Sequence, residues 1–343
     1  MINSLVTIAI ASYNNSLYIS RCIESVINQS YHNLEILIID DGSTDSTQEI
    51  IQPFRSDPRV IIINKDNAGL SSSRQVALET AQGEYICFID ADDYLVDSYV
   101  EDMLNGLVQS NANICVCGTR FEDEQGQYLA EYSKMFMCHA CLEPYQPSIH
   151  DINQYNNSKV GELHISDSWN KMYEISYLRQ CKVAFCMTKG LNGTDELFNR
   201  LLFIHRPTYI TLPKELYIHV MYKKSAVHRK SRNLMASFTL IIEHMIDECE
   251  NLGVLNDLKQ YIINYYISSL YAAHLDILGD DENDFGKIKK LDNCIRNKYP
   301  FLTDTIQTDI PLNISLFYFL YKRYNRLVPF FFKIRAYVAK IRM

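Results

Sequence analysis

The chain has 343 residues, 47% of them hydrophobic and 22% charged, and a net charge of −8. That length carries one large domain or two, and the composition is that of a globular protein rather than a disordered or fibrous one. The acidic balance excludes broad nucleic-acid binding, which needs a basic footprint.

The first ninety residues predict strands alternating with helices. Val6–Ser12 is a β-branched apolar run and predicts the first strand. In the stretch after it, Ile19, Cys22, Ile23, Val26 and Ile27 fall on one helical face. "LEILIID" (Leu34–Asp40) predicts a second strand. "GSTDSTQEII" opens on a glycine turn and holds several candidate helix caps. "RVIIIN" (Arg59–Asn64) predicts a third strand. "LSSSRQVALETAQG" predicts a helix that starts on capping serines and stops at Gly83. "YICFID" (Tyr85–Asp90) predicts the fourth strand. Strands that are apolar throughout and separated by helices imply a parallel sheet covered on both faces. Ligands bind outside the carboxyl ends of such strands, and here those ends read "ASYN", "DDGSTD", "NKDNAG" and "DADD".

After Val96 the pattern changes. "NICVCGTRF" predicts another strand with Cys115 and Cys117 on one face. Residues 125–165 read as an irregular, substrate-side loop or lid. "TYITLPKELYIHVMY" alternates like a strand, and from about Asn233 the chain reads as helices. The expected fold is therefore α/β, a mostly parallel Rossmann-like sheet with helices on both faces, followed by a helical C-terminal region. The expected division is 1–230 (halves 1–96 and 97–230) and 231–343.

Ten cysteines in a chain this long do not form a disulfide framework, and the apolar stretch Leu5–Ala11 lacks the charged lead and the length of a signal peptide. The expectation is reduced thiols and a cytoplasmic location. Cys138 and Cys141 form a C-x-x-C with no second pair at zinc-site spacing.

The acidic strand ends carry the chemistry. Asp90, Ala91, Asp92 and Asp93 crowd carboxylates at the end of an apolar strand. Two unit charges about 4 Å apart interact by roughly 4 kcal/mol at an effective dielectric near 20. A hard divalent cation that also takes phosphate oxygens answers that repulsion. Asp41 after the second strand offers an acceptor for the imide N–H of a uracil ring, and Tyr13 offers a flat face for stacking. Asn67, Gly69 and Arg74 follow the third strand. Gly69 allows close backbone approach, and Arg74 can neutralise a base-side acceptor or a phosphate.

These stretches, together with "WNKMY" and "TDELF", resemble glycosyltransferase family 2 with its GT-A fold, over roughly residues 5–230. The resemblance implies that Ala11, Tyr13 and Asp41 contact uridine, that Asp90 lies near ribose and sugar, and that Asp92 binds Mn²⁺ or Mg²⁺. It implies that Asp195 is the general base of an inverting transfer. Thr194 stands where the family's E-D-x-x-F motif has Glu, and Arg74-Gln75 stands where Arg-Asn is common. Lys171 faces the donor or fixes the pocket floor. His219 and His228 reach metal or pyrophosphate, or are plain strand and loop histidines. The family's processive members carry a motif ending in Arg-Trp; Trp169 is preceded by Ser168, which implies addition of one sugar or a few.

The expected partners are a nucleotide-diphospho-sugar donor, UDP-linked, and a glycan or lipid-linked acceptor of surface polysaccharide or capsule synthesis. The sugar is a hexose or an N-acetylhexosamine. From Ile310 onward there are seven Lys/Arg and no Asp/Glu, which leaves −15 on the rest. This basic, aromatic tail suits the inner surface of an anionic membrane; packing on the acidic body is the alternative. A non-catalytic nucleotide- or glycan-binding relative is the competing function. A nucleotidyltransferase lacks its Gly-rich loop here, and a dehydrogenase lacks its G-x-G-x-x-G.

Overall fold

The computed structural model describes residues 3–137, 141–154, 163, 165–188, 193–222, 234–276, 282–303 and 312–323. His228, Cys138 and the tail beyond Arg323 lie outside these residues. The chain divides into two units. The first comprises Met1–Pro147, Ser158–Gly190 and Thr194–His228; the second comprises Ser148–Asn157, Leu191–Gly193 and Arg229–Met343.

The first unit is a nine-stranded sheet with helices. Its opening half runs β1 (Val6–Ser12), α1 (Ile19–Ile27), β2 (Leu34–Asp40), α2 (Thr47–Ile51), β3 (Val60–Asn64), α3 (Leu70–Thr80) and β4 (Tyr85–Asp90). These four strands are parallel in the order β3-β2-β1-β4. Every residue of β1 and β2 is buried, as expected of strands covered on both faces. The edge strand β3 departs from that expectation, with Ile61 39% exposed. Register sets the strand ends level. Ser12 lies opposite Asp40, Asp40 opposite Asn64, and Ala11 opposite Asp90.

The second half adds β5 (Tyr94–Leu95), α4 (Tyr99–Ser110), β6 (Ile114–Asp123), α5 (Ala130–Met135), β7 (Cys141–Tyr145), β8 (Lys171–Glu174), α7 (Ile175–Cys181), α8 (Thr194–Ile204) and β9 (Tyr209–Met221). Between β7 and β8 the chain forms α6 (Ile149–Asn153), which falls in the second unit. Strand β8 is antiparallel to both β4 and β6, β9 is parallel to β6, and β5 and β7 are antiparallel to β9. The paired thiols Cys115 and Cys117 face the main core with Ile10, Ile36, Cys87 and Met172.

Three local expectations are corrected. Residues 125–165 are not wholly irregular: they contain α5 and β7, and β7 is ordered by its ladder with β9 rather than by its own pattern. The serines of α3 are not caps. Gly69 occupies the cap position, and Ser71, Ser72 and Ser73 lie buried inside the helix. Gly83 is not a left-handed helix stop. Ala81 ends α3 in extended conformation, and Gly83 is glycine because a Cβ there would sit 2.6 Å from Thr7 Oγ1.

The second unit contains α6 (Ile149–Asn153), α9 (Leu234–Asn251), α10 (Leu255–Asp276), α11 (Glu282–Lys298) and α12 (Leu312–Arg323). Helix α6 falls here although a division at 230 would leave it in the first domain. The side chain of Asn153 explains this: it donates to the Asp257 carbonyl at 2.7 Å and accepts from the Tyr261 amide at 2.9 Å. In its core, the fully buried Asp292 carboxylate accepts from Tyr266, Arg296 and Tyr321. Among the described residues no helix is long and apolar enough to cross a membrane.

Candidate active site

The level strand ends bring most of the candidate residues to one edge of the first unit. The loop after β1 is knitted to the loop after β2. Asn14 N–H donates to Ser43 Oγ at 2.9 Å, Thr44 N–H to Asn14 Oδ1 at 2.8 Å, and Asn15 N–H to Thr47 Oγ1 at 2.9 Å. This holds Tyr13 at the rim, 47% exposed, while Ala11 is buried beside Asp90.

Asp41 is buried and already occupied. Its carboxylate accepts from Ala68 N–H at 3.0 Å, from Gly69 N–H at 2.7 Å, and from the Lys65 ammonium. It therefore shapes the loop after β3. That loop crosses close to Gly42, where a Cβ would lie 2.9 Å from Asn67 N. Gly69 serves differently from its expected role. Nothing would crowd a Cβ there, but its φ of 95° is one that L side chains rarely adopt. Close approach belongs to Gly42.

Arg74 is 1% exposed and projects from α3 between two carboxylates. Its guanidinium donates to Asp90 Oδ1 at 2.6 Å and pairs with Asp195 Oδ2. The expectation gave it a base-side acceptor or a phosphate; the structure gives it Asp90 and Asp195. Burial works against its charge, and the two carboxylates more than restore it, so its pKa lies above the ordinary arginine value.

Asp195 stands in the first turn of α8. The motif's aromatic, Phe198, is fully buried and stacks on Phe185 with ring centroids 3.9 Å apart, which anchors the helix. Asn199 Nδ2 reaches back to the Asp195 carbonyl at 3.1 Å. Thr194, in place of Glu, has its hydroxyl 2.5 Å from Ser71 Oγ. Asp195 Oδ1 is buried with no hydrogen-bond partner among the described residues. Burial raises the Asp195 pKa, Arg74 opposes that rise, and Asp90 adds to it.

The three carboxylates of "DADD" have separate surroundings. Asp93 is fully buried and accepts from Tyr217 Oη at 2.7 Å, His219 Nδ1 at 2.9 Å and Val220 N–H at 2.9 Å. It is an anchor to β9. Asp90 keeps a quarter of its side chain exposed beside Arg74. The Asp92 carboxylate receives no hydrogen bond or ion pair from another described residue, while its carbonyl accepts from Arg21 and Tyr222, each at 3.1 Å. Burial, with Asp93 and Asp90 beside it, pushes Asp92 up to about 7.

His219 is a strand histidine. It stacks on Trp169 at 5.5 Å and pairs with Asp93, and although burial alone would lower its pKa, Asp93 raises it to about 9. Lys171 is 1% exposed, and its ammonium donates to the Asp167 carbonyl at 2.5 Å and to Asn170 Oδ1 at 2.8 Å. Gln75 accepts from Phe185 N–H at 2.9 Å. Sequence reasoning missed Ser71, Asn199 and Tyr217. Only Tyr217 left a signal, standing two positions from His219 and so on the same face of β9. Among the described residues no three His, Cys, Asp or Glu side chains form a ready metal cluster.

Comparison with known proteins gives the family and the fold. The family model described as glycosyl transferase family 2 matches residues 7–181. Glycosyltransferase GlyA of Streptococcus pneumoniae is 28% identical over 261 residues, covering 74% of this chain and 36% of that protein. The putative glycosyltransferase EpsH of Bacillus subtilis is 30% identical over 243 residues, covering 69% of this chain and 67% of its own. The chain thus spans about a third of the first relative and two thirds of the second. The crystal structure of S. aureus TarS 1-349 in complex with UDP-GlcNAc superposes with a TM-score of 0.57, covering 90% of this chain and 95% of that one at 17% identity. That likeness is one of fold, the GT-A arrangement.

Proposed function

The chain belongs to glycosyl transferase family 2, and on that footing we propose that it transfers a hexose or N-acetylhexosamine from a UDP-sugar to a hydroxyl of a glycan or lipid-linked acceptor. The acceptor belongs to surface polysaccharide synthesis, one sugar or a few are added, and the anomeric configuration inverts. The observation that carries this reading is Arg74. One guanidinium touches both Asp90 at the strand ends and Asp195 at the head of α8, so the donor-side and acceptor-side carboxylates share one site.

In this reading Tyr13, Asp41, Asn67 and Gly69 form the uridine cradle, with Ala11 beneath it, and Asp90 and Ala91 lie under the ribose and sugar. Asp195 Oδ1, which has no hydrogen-bond partner among the described residues, accepts the proton of the acceptor hydroxyl as that oxygen bonds to the anomeric carbon. The bond from that carbon to the diphosphate breaks, and UDP leaves with its electron pair. A single displacement inverts, and no covalent enzyme intermediate is needed.

The residues fit a divalent cation. Asp92 is a hard-oxygen donor with no partner among the described residues, and its charge is disfavoured until something positive arrives. Asp92 would hold Mn²⁺ or Mg²⁺, which would neutralise charge on the departing diphosphate. His228, outside the described residues, remains a candidate contact. Lys171 supports the floor of the site through Asp167 and Asn170. We place the basic tail at the inner face of the cell membrane, near a lipid-linked acceptor.

The test is UDP release from a panel of UDP-sugars with Mn²⁺ and lipid-linked or oligosaccharide acceptors. Asp195→Asn should lose about 10²–10⁴-fold in turnover while UDP binding stays within a few-fold. Full activity in both Asp195→Asn and Asp92→Ala sinks the site assignment. UDP binding with no turnover on any pair favours a non-catalytic binding protein instead.

A further inference from the structure

We propose that Ser71 and Arg74 of α3 are positioning residues that grip the head of α8, with Arg74 holding one oxygen of Asp195 so that the other is left to accept the proton. This rests on the reading of Asp195 as the base. Residues three apart on a helix share a face, and here they meet two successive residues of another helix. Ser71 Oγ meets Thr194 Oγ1 at 2.5 Å, and the Arg74 guanidinium meets Asp195 Oδ2. Thr194 stands where the family motif has Glu, and its hydroxyl is engaged by Ser71. Arg74 cannot drift, because its other nitrogen is held by Asp90 Oδ1 at 2.6 Å.

The division within the carboxylate is the central point. Oδ2 is spent on the guanidinium, and Oδ1 is buried without a hydrogen-bond partner among the described residues. Free rotation would blur the two, and the ion pair prevents it. The groups facing Asp195 are Arg74 from α3, Asp90 at the end of β4, Lys171 and Tyr173 from β8, and Asp167 just before β8. The ammonium of Lys171 is turned to the Asp167 carbonyl and Asn170. Among the described residues Arg74 is thus the cation in direct contact, and it opposes the rise that burial and Asp90 give the Asp195 pKa. One residue therefore both aims the base and sets the pH at which it works.

The experiment uses the full chain and two readouts. The first is the ¹³C NMR titration of the Asp195 carboxyl, assigned by its loss in Asp195→Asn, which needs no substrate. The second is the pH dependence of kcat/KM with whichever of UDP-glucose, UDP-galactose, UDP-GlcNAc or UDP-GalNAc is turned over. In Arg74→Gln the titration and the acid limb should both move up by about 1–2 pH units, the size of effect expected from removing an opposite charge. In Arg74→Lys, which keeps the charge but cannot span both carboxylates, the limb should move by less than about half a unit while kcat falls about tenfold. Ser71→Ala should lower kcat about five- to tenfold with no shift in the limb.

A folded Arg74→Gln, judged by Trp169 emission, whose titration matches the parent overturns the proposal. If that variant does not fold, Arg74→Lys decides: unchanged kcat with an unchanged limb overturns it. Turnover that survives in Asp195→Asn would instead overturn the functional reading. An inactive Asp195→Asn beside an unshifted Arg74→Gln removes only the grip.

Discussion

Replacing Asp92 with Asn should make the metal-free protein more stable, even as it removes activity. The carboxylate is mostly buried beside Asp90 and Asp93, and its pKa is raised from 3.8 to about 7. A raised carboxylate pKa means that the folded state binds more protons than the unfolded one between those two values. Stability therefore falls as pH rises from about 4 to about 7 and levels off above. A shift of about three units at roughly 1.4 kcal/mol each gives about 4 kcal/mol of destabilisation at pH 8. At pH 5 most of the folded-state groups are protonated, and the same arithmetic leaves under about 2 kcal/mol. Asn carries no charge, and the desolvation of its amide takes back part of the gain, so the expected increase at pH 8 is about 2–4 kcal/mol. The chain has one tryptophan, Trp169, buried in the first unit, so urea unfolding followed by its emission reports on that unit alone. The experiment compares parent and Asp92→Asn in EDTA at pH 8 and pH 5, then adds Mn²⁺. The stability gap should more than halve at pH 5, and Mn²⁺ should stabilise only the parent. A variant no more stable than the parent at pH 8, or a gap indifferent to pH, refutes the reasoning.

Other outcomes follow from the same contacts. His219 is raised to about 9 by Asp93, so its contribution is full below pH 6.5 and lost as pH climbs through 9; unfolding curves of the parent should lose about 1–3 kcal/mol between pH 7 and 10, and His219→Gln should flatten that slope. Gly83→Ala places a Cβ against Thr7 and the β1 backbone, which should cost about 2–4 kcal/mol and show as a lowered Tm; a Tm within a degree of the parent refutes the close-approach reading. Thr7→Val removes a donor to the buried Glu35 and should cost about 1–3 kcal/mol in the same assay. The full-length chain should sediment with anionic liposomes at low salt and be released at high salt. A chain that stays in the supernatant at low salt rules out the membrane role of its tail.

The parallel strands are legible because each is a continuous β-branched run bounded by polar turns, a pattern that burial on both faces imposes locally. Strand β7 is not, since "CLEPY" contains a proline suited to an edge and gets its order from the partner β9. The carboxylates Asp41, Asp90, Asp92 and Asp195 are legible by order and spacing. Their partners are not. Ser71 sits in a serine run that reads as a cap, and its hydroxyl partner lies 123 residues away. Asp93 has no distinct role in the sequence, and only the return of β9, 124 residues on, shows it taken by Tyr217. Gly69 has a positive φ alone and Gly42 both a positive φ and a crowded Cβ, a difference that a sequence does not mark.

The irregular ladder between β6 and β9 has a consequence for how this protein tolerates insertions. Pairing jumps from Leu212 to Glu215 and again to Tyr217 as β6 passes Cys117, Gly118 and Thr119. Upstream of that jump an added residue can be absorbed in the bulge, an expansion joint beside the exposed Pro213 and Lys214. Downstream, one added residue before Tyr217 would rotate Tyr217 and His219 to the opposite face and strip Asp93 of two partners at once. Length variation in β9 should therefore be permitted on one side of Glu215 and forbidden on the other, and a scan of single-residue insertions would draw that line.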